Sequence, residues 1–200
     1  MSLTAPVRMT AEEFFAWQDR QAERYELVAG VPTKMMGGVK AGHDRVVVNT
    51  IVALAGTLRN GPCRPFTGEF AVRTKMDQVR RPDVGVDYGT TGNSDLEASD
   101  PRVVVEVLSP ATRRTDQFTK LREYQSVDTV TDILLIEPDF VGLQHWQRDR
   151  SGTWALDAVD DVDAVIELVS IGASVALRDL YDGVIPSDTP LSLDTSERPA

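Results

Sequence analysis

Three segments of the chain carry apolar residues at helical spacing. The first opens with Thr10 and Glu13, which have the spacing of a capping box. Its apolar positions are Phe14 and Trp17. The second is "HDRVVVNTIVALAGTL", which stops before Asn60-Gly61 and has an apolar stripe of Val47, Ile51, Leu54, Ala55 and Leu58. The third follows "SPATRRT" with Thr115 as its candidate cap, and its apolar stripe is Phe118, Leu121 and Tyr124. These patterns predict three helices.

Alternating or continuous apolar runs predict strands between the helices. "RYELVAGVPTKMMG" predicts a hairpin that turns at Ala29-Gly30, and "GLQHWQRD" with "TWALDAV" predicts another across residues 149–152. "PFTGEFAVRT" and "PDVGVDY" predict two strands joined by a charged turn at "KMDQVR". "VTDILLIEPD" predicts a further strand. The run "RVVVEVL", apolar except for Glu106, predicts a central strand that is buried on both faces.

The order of these elements predicts a fold of mixed class, α/β or α+β. Two hundred residues with 42% hydrophobic content suit one domain with its own core, which we expect over residues 1–185. The last segment, "PSDTPLSLDTSERPA" (186–200), has few groups to bury. It is predicted to be a disordered tail.

Charge and composition narrow the classes of partner. The net charge of −10 and the pI of about 4.7 exclude a protein that grips phosphate backbones over its whole surface, because such proteins neutralise phosphates with many Lys and Arg residues. Contact with nucleic acid is therefore expected to be local. A single cysteine, Cys63, fits a reducing compartment. Without a signal-peptide core or a membrane-length apolar run, the chain is predicted to be soluble and cytoplasmic, with no membrane partner.

The stretch "RRPDVGVDY" is an unusual strand. Val84, Val86 and Tyr88 alternate with a second set of residues, namely Asp83, Gly85 and Asp87. Aspartate is a poor strand former, and an unpaired charge is costly to bury. Either that face is open to water or a cation lies against it.

Asp83 on this strand, Glu106 on the central strand and Lys120 on the next helix suggest a hydrolytic site. Two carboxylates on adjacent strands can hold Mg²⁺, which prefers oxygen ligands and keeps several waters. Such an ion lowers the pKa of a bound water and neutralises charge on a phosphate oxygen, and a nearby ammonium can orient the water. Glu26, in "RYELVAG", could add a third acidic group.

Several segments occur in the order "RYELVAGV", "HDRVVVNTIVALAGTL", "RRPDVGV", "PRVVVEVLSPATRRTDQFTKLREY" and "DILLIEPD". In this order they resemble the Uma (Uma-two) family of restriction endonuclease-like proteins, a bacterial domain of unknown function. The resemblance runs from about Met9 to Gly183. It is most specific at "EVLSPATRR" followed by Asp116, Lys120 and Tyr124. That family is placed in the PD-(D/E)xK nuclease superfamily, so the resemblance implies a restriction endonuclease-like central mixed sheet flanked by helices, here with additional β-hairpins.

The resemblance also implies an activity and roles for individual residues. It implies an endonuclease that hydrolyses DNA phosphodiester bonds with Mg²⁺, or with Mn²⁺ in its place. Asp83 corresponds to the Asp of "PD" and Glu106 to the next acidic residue, both as metal ligands, while Glu26 is the acidic residue nearer the N-terminus. Position 108 is leucine where the superfamily has its catalytic lysine, and the resemblance implies that Lys120 supplies the ammonium instead. Restriction-type folds often act through two-fold symmetry, so a homodimer is expected.

Four further residues are candidates for substrate contact: Arg113, Arg114, Ser109 and His43. Every candidate in the site also has an ordinary structural interpretation. Asp83 could be a solvated strand end, and Glu26 could pair with Arg24. Lys120 could pair with Asp116 or Glu123 along the surface of its helix. The pair of arginines could be a solvated helix entry, Ser109 a turn residue and His43 a helix cap.

A second hypothesis therefore stays open beside the nuclease. The acidic balance and the missing lysine at position 108 also suit a non-catalytic binding or assembly module that retains a nuclease-like fold.

Overall fold

The structure is a computed structural model that describes residues 8–35, 38, 40–89 and 91–184. The tail predicted at 186–200 lies outside the described residues. The helices are α1 (Ala11–Gln18), α2 (Ala41–Leu58), α3 (Leu121–Gln125) and α4 (Leu177–Leu180). A π-helical segment, Thr115–Lys120, leads directly into α3, and a short 3₁₀ turn spans Val169–Ile171. None of the helices in these ranges combines the length and the apolarity that a bilayer crossing requires.

The strands are β1 (Tyr25–Val28), β2 (Val31–Lys34), β3 (Cys63–Thr67), β4 (Val72–Lys75), β5 (Gln78–Arg80), β6 (Val84–Tyr88), β7 (Pro101–Val107), β8 (Asp132–Ile136), β9 (Leu143–Arg148), β10 (Trp154–Val159), β11 (Val165–Leu168) and β12 (Ala173–Ala176). Six of them form a central sheet in the order β10-β9-β8-β7-β6-β3. In this sheet β7 and β8 run parallel, and the other neighbours are antiparallel. An antiparallel sheet, β2-β1-β5-β4, and the hairpin β11-β12 complete the described strands. The predicted mixed sheet with flanking helices and extra hairpins is confirmed.

Strand β7 is buried on both faces, as its composition predicts. Val103, Val105 and Val107 face the core that contains Leu54 and Leu58 of α2. Val104 faces a second core on the opposite side, together with Leu121 and Tyr124 of α3. Because β7 and β8 are parallel, the chain must cross over the sheet between them. The π-helical segment and α3 make that crossing, which brings Lys120 over the face that carries Glu106.

The N-terminal elements match their sequence signals. Thr10 caps α1, and its side chain and that of Glu13 make the reciprocal hydrogen bonds of a capping box. The hairpin β1-β2 turns at Ala29-Gly30, both with positive φ. These short-range patterns predict their structures well because all the interacting groups are neighbours in the chain.

Both later helices differ in detail from the prediction. In α2 the stripe is rotated, so that Val46 and Thr50 are fully buried and Ala55 is exposed. Thr115 is not a cap but the first residue of the π-helical segment, which follows two helical residues. Phe118 is 58% exposed. The wide π turn points this phenylalanine to solvent and turns charged residues of the same segment inward.

The segment around "KMDQVR" is a hairpin and not a turn between two strands. Strands β4 and β5 pair across Met76-Asp77. "PFTGEFAVRT" accordingly divides at Gly68 into β3 of the central sheet and β4 of the smaller one. A Cβ at Gly68 would lie 3.2 Å from the carbonyl oxygen of Pro82, so the chain passes close to itself where it changes sheets.

The polar face of β6 serves three separate purposes. The ring of Phe66 lies over Gly85, its cross-strand partner, where no side chain could fit. Asp87 is buried but accepts hydrogen bonds from the Asp100 amide at 2.7 Å and the Thr91 hydroxyl at 2.9 Å, so loop donors satisfy it. Of the three, only Asp83, just before the strand, keeps a side chain that is partly open to solvent.

Substituting Gly85 tests this packing. Gly85→Ala is expected to lower the free energy of unfolding by about 1–3 kcal/mol, because the new methyl overlaps the Phe66 ring. The matched control is Gly56→Ala in α2, where a Cβ meets nothing within 4 Å and is expected to stabilise by about 0.5–1 kcal/mol. Urea unfolding of both variants gives the comparison. Equal changes would contradict the proposed clash.

Candidate active site

Glu106 is the most deeply buried acid of the candidate site. Its side chain projects from the central strand β7, and the residue is 3% exposed. Oxygen Oε1 accepts two hydrogen bonds, from Lys120 Nζ at 3.1 Å and from the Tyr124 hydroxyl at 2.7 Å. Both donors come from the crossover after β7. The crossover thereby provides the partners that a buried carboxylate requires.

Lys120 lies at the centre of three carboxylates. Besides Glu106, its ammonium is 3.2 Å from Asp116 Oδ1 and 3.5 Å from Glu26 Oε1. Burial by itself disfavours the charged ammonium, but the three acids outweigh this effect and raise the pKa of Lys120 above its ordinary value. The lysine is therefore positively charged at neutral pH. The prediction that Lys120 reaches Glu106 from the following helix is confirmed by the 3.1 Å contact between them.

Glu26 reaches the same cluster from β1. Its Oε2 accepts from Arg80 at 2.8 Å and its Oε1 from the amide of Arg81 at 3.1 Å. Burial opposes ionisation, but Lys120 and Arg80 hold the pKa of Glu26 below its ordinary value. Glu26 does not pair with Arg24, which instead contacts Glu69.

Arg80 links this network to α3. Its guanidinium binds both oxygens of Glu123, at 2.5 and 2.9 Å, and is 3% exposed. The interpretation of Glu123 as a surface residue paired with Lys120 is wrong. Once β4 and β5 form a hairpin, Arg80 points inward, and only an inward-facing carboxylate can neutralise it.

Asp83 converges on Glu106 from the neighbouring strand. Val84 lies opposite Val105, so the register places Asp83, one residue earlier, opposite Glu106. Cross-strand neighbours of this kind have Cβ atoms about 4.5–5.5 Å apart. The two segments are also joined directly, because Asp83 Oδ2 accepts the amide of Val107 at 2.8 Å. The convergence that the hydrolytic hypothesis requires is therefore present.

Each of the two facing carboxylates uses only one oxygen. Asp83 Oδ2 has the Val107 amide and, at 3.5 Å, His43 Nε2, and Glu106 Oε1 has its two donors. Within the described ranges, neither Asp83 Oδ1 nor Glu106 Oε2 has a hydrogen-bond partner. Asp83 is partly open to solvent, with 28% of its side chain exposed. One free oxygen on each carboxylate is the donor set that a hydrated Mg²⁺ takes.

The charges of the cluster also suit a divalent cation. Two permanent cations, Lys120 and Arg80, face five carboxylates: Asp83, Glu106, Glu26, Asp116 and Glu123. Burial, and then repulsion from neighbouring acids including Asp83, raise the pKa of Glu106 to about 8, against the opposing attraction of Lys120. Among the described residues no three His, Cys, Asp or Glu side chains enclose a metal position. The residues therefore fit an ion held by two carboxylates and water, and not a fully enclosed metal.

His43 and Ser109 lie at the border of the site. His43 is buried near the start of α2, with Nε2 toward Asp83 and Nδ1 without a hydrogen-bond partner among the described residues. Burial opposes protonation of His43, but its hydrogen bond and attraction to Asp83, with smaller effects of Val107 and Asp116, outweigh burial and raise the pKa of His43. Ser109 accepts the Thr112 amide at 3.3 Å and opens the helical turn before the π segment. The turn interpretation of Ser109 is thus confirmed.

Arg113 and Arg114 differ in whether their guanidinium groups are already held in an ion pair. Arg113 binds both oxygens of Glu137 at the end of β8, with Nη2 2.7 Å from Oε2. Arg114 is exposed and has no ion-pair partner in the part of the chain that the structure describes. Arg114 can therefore bind a phosphate without first leaving an ion pair.

His145 and the tryptophans have packing roles. His145 Nε2 lies 2.8 Å from Asp132, a buried carboxylate that Ser170 and Thr131 also satisfy. Trp146 and Trp154 are half-buried against the core that contains Val104. These contacts give His145 a structural role.

Two members of the cluster, Tyr124 and Arg80, were not identified as partners from the sequence, and Glu123 was expected to pair with Lys120. Asp116, Lys120 and Tyr124 recur every four residues, which was a usable signal that all three lie on one face. Tyr124 was interpreted only as part of an apolar stripe. Arg80 had no such signal, because its direction depends on the hairpin β4-β5.

Removing Arg80 tests the buried network. Arg80→Met leaves Glu26 and Glu123 without their shared cation and is expected to reduce the free energy of unfolding by about 3–5 kcal/mol. The control is Arg178→Met, which breaks an exposed pair with Asp163 and should cost less than about 1 kcal/mol. Urea unfolding at fixed pH measures both. A small effect at Arg80 would show that the network adds little stability.

The raised pKa of Glu106 predicts a pH dependence of stability. A carboxyl whose folded pKa lies above its unfolded value stabilises the fold at low pH, and this contribution is lost as the pH rises from about 4.5 to about 8. Glu106→Gln lacks this loss. Its stability relative to the wild type should therefore rise with pH across that window, on the order of 1–3 kcal/mol.

Denaturant unfolding at half-unit pH steps, in buffers without divalent cations, measures the difference. Asp128→Asn, whose side chain is 99% exposed, is the control and should show a flat difference. A flat difference for Glu106→Gln as well would mean that Glu106 is ionised throughout this range.

Comparisons with known proteins agree with this architecture. A crystal structure described as a putative nuclease belonging to DUF820, from Anabaena variabilis, superposes with a TM-score of 0.69 at 16% identity, covering 88% of this chain and 99% of that one. Two uncharacterised proteins of Synechocystis, slr1290 and sll1609, are 28% and 24% identical over 179 and 165 residues. These alignments cover 88% and 80% of this chain and 93% and 92% of the relatives. Residues 11–178 match the Uma2 family, described as "Putative restriction endonuclease", and the chain therefore belongs to that family.

Proposed function

We propose that the protein is a divalent-cation-dependent endonuclease that hydrolyses DNA phosphodiester bonds. The observation that carries the proposal is the convergence of Asp83 and Glu106, each with one free oxygen, beside a lysine ammonium 3.1 Å from Glu106. Membership of the Uma2 family supports the same reaction class.

Asp83 and Glu106 would hold Mg²⁺, or Mn²⁺ in its place. When bound, the ion lowers the pKa of a water and neutralises charge on the phosphate oxygens. Lys120 contributes a fixed positive charge beside the acids, which stabilises negative charge that develops during hydrolysis. Glu26 acts indirectly, because it lies 3.5 Å from that ammonium and is itself held by Arg80.

Contact with DNA is local in this proposal. The candidate contacts are Arg114 and Ser109, in the segment that follows β7, and His43, whose Nε2 lies 3.5 Å from Asp83 Oδ2. Arg113 is already neutralised by Glu137 and would first have to leave that pair to bind a phosphate. The acidic remainder of the surface repels DNA, so binding is confined to the surface around these residues.

We further propose that the protein acts as a homodimer. Two-fold symmetry would present two sites to the two strands of a duplex. Strand β10, at one edge of the central sheet, is largely exposed and includes Leu156, which is 48% exposed. Light scattering of the full chain distinguishes one copy from two.

The nuclease proposal is tested by incubating the full chain with plasmid, single-stranded and branched DNA in Mg²⁺ or Mn²⁺. The wild type should cleave at least one substrate. Asp83→Asn should lower the rate roughly 100-fold or more, because it removes a ligand charge from the centre of the reaction. Asp128→Asn, at an aspartate whose side chain is 99% exposed and outside β10, is the matched control and should retain wild-type activity. Equal cleavage by Asp83→Asn and the wild type would rule out this mechanism.

One observation favours the alternative, a non-catalytic module that retains the fold. Lys120 is only 8% exposed and already has three carboxylate neighbours, so its charge is satisfied without a substrate. Titration calorimetry separates the two functions. Mn²⁺ binding that disappears in Glu106→Gln supports the enzyme, whereas no binding by the wild type at millimolar Mn²⁺ supports the module.

A further inference from the structure

Tyr124 is the second hydrogen-bond donor to Glu106, after Lys120. It lies in α3, is completely buried, and donates a hydrogen bond to Glu106 Oε1 at 2.7 Å. Its ring packs in the core that contains Val104 and Leu121. A phenylalanine would fill the same apolar space, so the hydroxyl needs a separate explanation.

The hydroxyl is not needed to neutralise the charge of Glu106. Lys120 already provides an ammonium at 3.1 Å from the same oxygen. An ammonium has no preferred donor direction and can bond to either oxygen, so Lys120 provides charge but does not by itself hold the carboxylate in one orientation. A tyrosine hydroxyl on a rigid, packed ring fixes one oxygen in one place.

We propose that Tyr124 is a positioning residue that holds Oε1 of Glu106 toward α3 and so leaves Oε2 directed to the divalent cation shared with Asp83. The inference rests on the cation site of the proposed function, but not on the cleavage of DNA. It assigns the two donors different roles: Lys120 supplies charge and Tyr124 supplies orientation.

This assignment is supported by the way in which each carboxylate has hydrogen bonds on one oxygen and none on the other among the described residues. Both hydrogen bonds to Glu106 reach Oε1, and among the described residues none reaches Oε2. Asp83 shows the same division, since its contacts with Val107 and His43 both involve Oδ2. Two facing carboxylates with one fixed and one free oxygen each form a preorganised pair of ligands, which loses less entropy when an ion binds.

The chain provides a matched control in Tyr181. This tyrosine is also buried and also makes strong hydrogen bonds, but its hydroxyl contacts backbone groups, donating to the carbonyl of Glu137 at 2.6 Å. Tyr181→Phe therefore removes a buried hydroxyl without touching the carboxylates. A change in Mn²⁺ binding that both variants share reflects a general loss of stability. A change that occurs only in Tyr124→Phe reflects the orientation of Glu106.

The experiment is calorimetric titration of Mn²⁺ into the full-length wild type, Tyr124→Phe and Tyr181→Phe. Tyr124→Phe is expected to bind Mn²⁺ about tenfold more weakly, as the loss of one hydrogen bond to a charged group predicts. Tyr181→Phe should bind with the wild-type dissociation constant. Equal Mn²⁺ affinity in the wild type and Tyr124→Phe would overturn the proposal.

A spectroscopic measurement separates orientation from general loosening of the fold. In protein labelled with ¹³C-glutamate, the infrared carboxylate bands recorded without metal above pH 8, where Glu106 is ionised, should change in Tyr124→Phe and stay unchanged in Tyr181→Phe. Unchanged bands in Tyr124→Phe would contradict the proposed fixing of Glu106.

Failure of this inference can be told apart from failure of the nuclease proposal. If Mn²⁺ binding shows the tenfold difference but no DNA is cleaved, the positioning role stands and the nuclease activity does not. If DNA is cleaved but both tyrosine variants bind Mn²⁺ as the wild type does, the positioning role is wrong. Absence of Mn²⁺ binding by the wild type overturns both.

Discussion

The structure depends on the burial of one carboxyl group in the central strand. Glu106 lies in β7 with apolar residues on both sides, where an isolated charge would be too costly to keep. Its partners must come from the element that crosses the sheet after β7, because both faces of the strand are otherwise apolar. Lys120 and Tyr124 meet that requirement together. The position of the crossover is therefore fixed by electrostatics as much as by hydrophobic packing.

Satisfying Glu106 in this way creates a further requirement. Lys120 is itself buried, and three carboxylates gather around its single charge. Arg80 then neutralises Glu26 and ties α3 to the smaller sheet through Glu123. Burial, and then repulsion from the neighbouring acids, raise the pKa of Glu106 to about 8 despite the attraction of Lys120. Ionising Glu106 therefore costs stability, which is common at functional sites.

The sequence predicts what depends on neighbouring residues and on strand composition. The capping box at Thr10, the turn at Ala29-Gly30 and the buried strand around Glu106 all follow from short patterns, and the family resemblance correctly placed Asp83 and Lys120 beside it. Arg80 could not be placed, because its inward direction depends on a hairpin hidden in a charged segment. The apolar stripe of the third helix is right for Leu121 and Tyr124, which are buried, and wrong for Phe118, because the α-helical period fails in a stretch that is partly π-helical.

That π-helical segment explains how one helix presents three polar groups to one point. In an α-helix, residues four apart drift by about 40°, so Asp116 and Tyr124 would diverge by about 80°. A π turn contains more residues per turn and offsets the drift over its length. Here it spans Thr115–Lys120, and the amide of Leu121 bonds to the carbonyl of Asp116. The widened turn keeps Asp116, Lys120 and Tyr124 on the buried side, which brings the Lys120 ammonium from the helix to the carboxylate of the central strand.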